Sequence, residues 1–99
     1  MTAPVIAPLA VWDVHEDRWL DNLFHERSQW AQGHFPDRAQ LVYRAEFYLM
    51  DTAFAVLYSY AEDSEGRLYR DPVTGAPARA EPRTLILSEL PPRHLLERA

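Results

Sequence analysis

Residues 41–61 read LVYRAEFYLMDTAFAVLYSYA, and the pattern of this stretch predicts the centre of the fold. Large apolar side chains recur at every second position on both sides of Asp51-Thr52, which is the period of a strand with one buried face. We therefore predict two neighbouring strands joined by a short turn. The face predicted to be buried carries Leu41, Tyr43, Ala45, Phe47 and Leu49 of the first strand and Phe54, Val56, Tyr58 and Tyr60 of the second.

The register of this hairpin follows from the pattern of large side chains. With Asp51-Thr52 as a two-residue turn, the pairs on the buried face are Leu49 with Phe54, Phe47 with Val56, Ala45 with Tyr58 and Tyr43 with Tyr60. A slip of one residue would divide the large apolar groups between the two faces. Asp-Thr is not a favoured pair for a two-residue turn, so the predicted register depends on the pattern alone.

The segment before the hairpin has the features of an amphipathic helix from Asp13 to Gly33. Asp13 and Glu16 have the spacing of a capping box, Gly33 is placed for a C-terminal cap, and Pro36 prevents continuation. Steps of about 100° per residue place the apolar side chains on one side of the helix. This apolar stripe consists of Trp19, Leu20, Leu23, Phe24, Trp30 and Ala31.

Arg27 is the exception in this helix, because it lies in the middle of the apolar stripe. A charge in that position is costly unless it is paired or can reach water. We predict that Arg27 is a structural residue whose side chain reaches a carboxylate or a backbone carbonyl.

The remaining segments predict short elements. Val5–Val11 has the composition of a short edge strand, Arg67–Arg70 that of a short strand between polar turns, and Ala76–Pro82 that of a weak edge or loop. Thr84–Leu87 predicts a last strand and Arg93–Ala99 a short helical tail. The sequence thus predicts a single α+β domain over residues 1–99. One main amphipathic helix packs on an antiparallel sheet of three to five strands, followed by the short C-terminal helical tail.

The composition excludes several kinds of site. The chain has ten arginines and neither lysine nor cysteine, which excludes Schiff-base and P-loop lysines, thiol catalysis, disulfides and thiolate metal sites. A formal net charge of −5 disfavours general binding to a phosphate backbone, so nucleic acid is an unfavoured partner. Arginine in place of lysine, with abundant alanine and proline, indicates a GC-rich bacterial genome.

The sequence carries no recognisable signal for secretion or membrane insertion. Residues 1–12 lack the positive region and the long apolar core of a signal peptide. No stretch approaches the roughly 20 apolar residues of a membrane span. We therefore predict a cytoplasmic protein with no membrane partner.

No pattern of residues predicts a catalytic or metal site. Asp17, Asp21 and His25 share one ridge of the predicted helix, but they span about 12 Å, too far for one ion to contact all three. No serine stands in a G-x-S-x-G context. We predict no catalytic, cofactor-binding or metal-ligating residue and no cofactor, which favours a non-enzymatic protein.

The second face of the predicted hairpin is the candidate site. A single helix covers only one face of a sheet, and the other face mixes apolar, tyrosine and arginine side chains, a composition enriched in protein interfaces. Its residues are Val42, Arg44, Glu46, Tyr48, Met50 and Leu57. We predict a small acidic interaction module, an accessory, inhibitor or adaptor, that binds a protein partner or itself. A homodimer is expected, formed through this face or through the edge of the terminal strand.

Two other functions are open at this point. A pocket between helix and sheet, lined by Tyr43, Tyr58, Tyr60 and Trp30, would indicate a small-molecule-binding or enzymatic domain. A local arginine patch would indicate nucleic-acid binding in spite of the net charge. The arginines of that patch are Arg67, Arg70, Arg79 and Arg83.

Overall fold

A four-stranded antiparallel sheet forms the centre of the computed structural model, which describes residues 7–14, 22–35 and 41–96. Its strands lie in the order in which they occur in the chain. The elements are β1 (Ala10–Asp13), α1 (Asn22–His34), β2 (Val42–Leu49), β3 (Ala53–Ser59), β4 (Arg83–Ile86) and α2 (Arg93–Leu96). One main helix, one antiparallel sheet and a short C-terminal helix confirm the predicted α+β fold.

The helix differs from its prediction at its end. Helix α1 continues to His34, and Gly33 lies within its last turn without a positive φ angle, so the predicted cap at Gly33 is wrong. The His34 ring occupies the capping role, because its Nδ1 lies 2.8 Å from the carbonyl oxygen of Trp30. The residues predicted at the start of the helix, including Glu16, Asp17, Trp19, Leu20 and Asp21, lie outside the described residues.

The hydrophobic core lies between α1 and one face of the sheet. Phe47 is 0% exposed at its centre. Its ring centroid lies 4.5 Å from that of Trp12 and 6.0 Å from that of Trp30. The predicted stripe residues Leu23, Trp30 and Ala31 pack against this cluster. Four buried or half-buried aromatic rings, with Phe35 as the fourth, therefore pack together between α1 and the sheet.

Arg27 has the structural role that the sequence predicted. It is only 3% exposed, and its Nε donates a hydrogen bond of 2.7 Å to the carbonyl oxygen of Leu95. Leu95 belongs to α2, whose four residues leave their carbonyls without partners inside the helix. The guanidinium carbon also lies 5.1 Å from the centroid of a Trp12 ring. Arg27 therefore ties the C-terminal helix to the main helix and to β1.

We expect Arg27→Met to destabilise the fold by about 1–3 kcal/mol. The substitution removes the donor of the Nε bond, and the Leu95 carbonyl that accepted it remains in the structure. Chemical denaturation followed by circular dichroism measures the change. Gln29→Met on the exposed side of α1 is the matched control and should stay within about 0.5 kcal/mol. Equal stability of Arg27→Met and the wild type would contradict this role.

The predicted hairpin register is wrong by one residue. The structure pairs Leu49 with Ala53, Phe47 with Ala55 and Ala45 with Leu57, leaving residues 50–52 as a three-residue connection. Asp-Thr is poorly suited to a two-residue turn. The rings around Phe47 also fill most of the core. The space that is left beside them fits the small side chains of Ala45 and Ala55, and larger side chains would not fit there.

A β-bulge changes the faces at the start of β2. The register shifts between Val42 and Arg44, and Val42 pairs with Ser59. As a result Val42 packs against the core, while the Tyr43 ring contacts Tyr60 on the other side of the sheet. One extra residue in a strand is sufficient to invert the alternation beyond it.

The connection between β3 and β4 folds back as an arm of two turns. Gly66 and Gly75 have φ angles of 79° and 73°, the left-handed conformation that such turns require. The predicted strand Arg67–Arg70 is reduced to isolated bridges, at Leu68 and Arg70. The arm returns to the sheet through Ala78, which is buried and bonded to Ala61.

Candidate functional site: the open face of the sheet

We call the face of the sheet opposite the core the open face. Cross-strand partners share a face, so the observed register arranges its side chains in three rows. The rows are Val11, Glu46, Val56 and Thr84, then Asp13, Arg44 and Tyr58, then Tyr48, Phe54 and Ile86. Both described helices contribute to the core on the other side.

A polar network centred on Glu46 crosses the open face. Its Oε1 accepts hydrogen bonds from the hydroxyls of Tyr58 at 2.8 Å and Tyr48 at 3.4 Å. Its Oε2 accepts a charged bond of 3.1 Å from Arg44, whose other terminal nitrogen lies 3.6 Å from the carboxylate of Asp13. Three strands therefore contribute to one connected set of side chains.

The network stabilises the ionised form of Glu46. Partial burial by itself would raise the pKa of this carboxyl, but the bonds from Tyr58 and Arg44 and the Arg44 charge outweigh it and lower the pKa. The bond to Glu46 raises the pKa of Arg44, and it also raises that of Tyr58. Burial, together with the Glu46 charge, raises the pKa of Tyr48. The site is thus a carboxylate held between protonated donors.

Aromatic rings flank this network on both sides. On one side Tyr48 stacks on Phe54, with centroids 5.0 Å apart and planes 10° apart. On the other side Tyr43 packs against Tyr60 at 4.7 Å. The guanidinium of Arg79 lies 5.0 Å from the Tyr43 ring. These contacts fix the relative positions of the aromatic and arginine side chains on the open face.

We expect Glu46→Gln to destabilise the protein in a pH-dependent way. A group whose folded pKa is lowered contributes stability above its unfolded pKa, about 4.3 for Glu, and loses it as the pH falls through the folded value. The difference in unfolding free energy between wild type and Glu46→Gln should therefore narrow as the pH falls from about 6 to about 2. Denaturation curves at several pH values measure this, with Glu81→Gln at an exposed position as control. A difference that is constant across this range would contradict it.

Three of the six predicted site residues lie together on the open face. Arg44, Glu46 and Tyr48 project from one strand and contact one another through Glu46. The ion pair between Arg44 and Glu46 is part of the larger network that includes Asp13, Tyr48 and Tyr58. The side chain of Glu46 is only 14% exposed.

The other three predicted residues lie elsewhere. Leu57 is 1% exposed in the core, because the register is shifted by one residue. Val42 packs against the core because of the bulge. Met50 lies in the β2–β3 connection and is exposed. Sequence reasoning missed Asp13, Phe54 and Tyr58, and only the strand order and the true register could have placed them beside Glu46.

The predicted tyrosine-lined pocket between helix and sheet is also wrong. Tyr58 and Tyr60 lie on the open face, whereas Trp30 packs in the core. A cleft of about 250 Å³ does separate α1 from β1 and β2, and of the four predicted lining residues only Tyr43 lines it. It is smaller than most ligand pockets, and side chains of the core, such as Trp12, Phe35 and Ala45, line much of it.

Three of the four arginines of the predicted nucleic-acid patch have local partners. Arg67 lies 3.5 Å from the carboxylate of Glu65, Arg70 donates to the carbonyl of Gly75, and Arg79 stacks on Tyr43. Arg83 is exposed on the edge strand β4. These contacts distribute the arginines over the arm, the open face and the sheet edge.

The part of the chain that the structure describes contains no group of three or more His, Asp or Glu residues placed to hold a metal ion. None of its helices has both the length and the apolar character needed to cross a membrane.

Comparisons of this chain with protein-family models, with curated proteins and with solved structures found no match.

Proposed function

We propose that this protein is a small interaction module that binds a protein partner through the open face. The observation that carries the proposal is the network in which Tyr58, Tyr48 and Arg44 all bond to the Glu46 carboxylate. It lies on the sheet face opposite both described helices. The chain thus orders a set of polar and aromatic side chains where packing of its own core does not require them.

The chemistry of the open face favours a protein as the partner. Tyrosine and arginine are enriched at the energetic centres of protein interfaces. Side chains that are already held in place lose little conformational entropy on binding. Because Arg44 and Glu46 are paired with each other, their desolvation by a partner is partly offset.

The same network argues against acid–base catalysis at this face. A general base is most effective when its pKa is near the working pH, whereas the pKa of Glu46 is lowered by its donors. Small-molecule binding is less favoured because Tyr43 is the one predicted tyrosine that lines the cleft. Nucleic-acid binding is opposed by a net charge of −5. Both stay as predictions behind protein binding.

The test is chemical cross-linking and affinity capture from an extract of the source organism, followed by a binding measurement with the captured protein. Tyr48→Arg places a bulky charge on the open face and should weaken binding at least tenfold while the circular dichroism spectrum is retained. Gln29→Arg, on the exposed side of α1, is the matched control and should bind like the wild type. Equal binding by both variants would overturn the proposal.

A further inference from the structure

Strand β4 lies at the edge of the sheet, with β3 on its inner side. The amide of Leu87 donates to the carbonyl of Ala53 at 2.9 Å. Since the peptide groups of an antiparallel strand alternate in direction, those of Arg83, Leu85 and Leu87 bond inward to β3. The amide and carbonyl groups of Thr84 and Ile86 therefore point outward along the edge.

This edge is accessible. Ile86 is 65% exposed, and Arg83 and Thr84 are also exposed. Natural proteins usually protect an edge strand with charges, proline, a bulge or a covering segment, because its free peptide groups are a template for another strand. Here the last residue of the edge strand is an exposed isoleucine.

The sequence of the edge is complementary to itself when it is reversed. Residues 83–89 read RTLILSE. Around Ile86 the flanking pairs are Leu85 with Leu87, Thr84 with Ser88 and Arg83 with Glu89. Apolar, hydroxyl and opposite-charge groups therefore occupy matched positions.

We propose that two copies of this chain pair through β4, antiparallel, about a two-fold axis at Ile86. The outward amide of Ile86 in each copy donates to the Ile86 carbonyl of the other, the arrangement of a hydrogen-bonded antiparallel pair. Arg83 of each copy lies opposite Glu89 of the other. The result is one continuous sheet to which each copy contributes its four strands, and the open faces of both copies lie on the same side of it.

The order of the charged residues along β4 favours a second copy of this chain as the partner that pairs with this edge. An antiparallel copy brings Arg83 to Glu89 at both ends of the pairing, whereas a parallel copy would oppose like charges. Glu89 lies 3.6 Å from His34, but its side chain is 71% exposed and can turn toward an arginine. The chain bends at Ser88 and Glu89, so the backbone pairing is short. Interfaces of this small size form weak, concentration-dependent dimers.

Charge exchange tests the pairing by sedimentation equilibrium from about 10 µM to about 1 mM, a range suited to weak interfaces. The wild-type mass should rise from 11.5 kDa toward twice that value. Arg83→Glu should weaken the dimer at least tenfold, and the double variant Arg83→Glu/Glu89→Arg should restore it. Glu81→Arg, exposed and outside the pairing, is the control. A monomer at the highest concentration, or a double variant as weak as the single one, would overturn the proposal.

A second test uses the absence of cysteine from the chain. On the two-fold axis the Ile86 Cα atoms of the two copies lie about 5.5 Å apart, within reach of a disulfide. Ile86→Cys should form a disulfide-linked dimer on mild oxidation. Thr84→Cys should link at least tenfold more slowly, because its two Cα atoms are separated by about 14 Å along the strands. Equal rates of disulfide formation by the two cysteine variants would refute the register. This result does not depend on whether the open face binds another protein.

Discussion

Phe47→Ala is expected to lower the free energy of unfolding by about 3–5 kcal/mol. The side chain is fully buried, and its ring packs against those of Trp12, Trp30 and Phe35. Removing it leaves a cavity between α1 and the sheet, where three rigid indole and phenyl groups cannot close the space. Urea denaturation followed by tryptophan fluorescence and circular dichroism measures the loss.

Phe54→Ala is the matched control for this change. It removes the same side chain, but from the open face, where Phe54 is half-buried and stacks on Tyr48. We expect a loss of about 1–2 kcal/mol, since less apolar surface is re-exposed and no closed cavity forms. If Phe47→Ala does not fold, Phe47→Leu keeps part of the volume and should cost about 1–2 kcal/mol. Equal losses at positions 47 and 54 would contradict the assignment of the two faces.

The sequence predicted those features that depend on one element at a time. A period of two placed Ala45 and Phe47 on the buried side of β2, and a helical period placed Leu23, Trp30 and Ala31 toward the core. Arg27 stood out because a charge within an apolar stripe requires a partner. Its partner could not be named, since the Leu95 carbonyl is 68 residues away along the chain.

The features that failed depend on how two elements meet. Alternate positions of β3 carry Phe54, Val56 and Tyr58 on one face and, apart from Leu57, only small side chains on the other, so the pattern alone assigned the first face to the core. The space there is instead taken by aromatic rings, including Trp12 from β1. Volume, and not hydrophobicity, therefore selects Ala55 for the inner face.

Only those residues of the candidate site that lie on one strand could be predicted from the sequence. Arg44, Glu46 and Tyr48 follow one another at alternate positions of a single strand, so their common face is visible in the sequence. Tyr58 joins them only in the observed register, and Asp13 only because β1 pairs with β2. A site assembled from three strands requires the sheet order before its members can be recognised.

The register itself is tested most directly by Leu57 and Val56, which exchange environments between the predicted and the observed hairpin. In the structure Leu57 is 1% exposed beneath α1, and Val56 is half-buried on the open face between Glu46 and Thr84. Leu57→Ala should therefore lower the free energy of unfolding by about 2–5 kcal/mol, the range for emptying a buried leucine site.

Val56→Ala, one residue away in the same strand, should cost only about 1 kcal/mol, because its side chain is smaller and only partly buried. Both variants keep the strand backbone and differ in the face they alter, so a general weakening of β3 cannot produce an unequal result. A larger loss from Val56→Ala would restore the two-residue turn at Asp51-Thr52 and move Tyr58 into the core. The Glu46 network, and with it the proposed binding face, would then be wrong, since its shortest bond joins Tyr58 to Glu46 across that register.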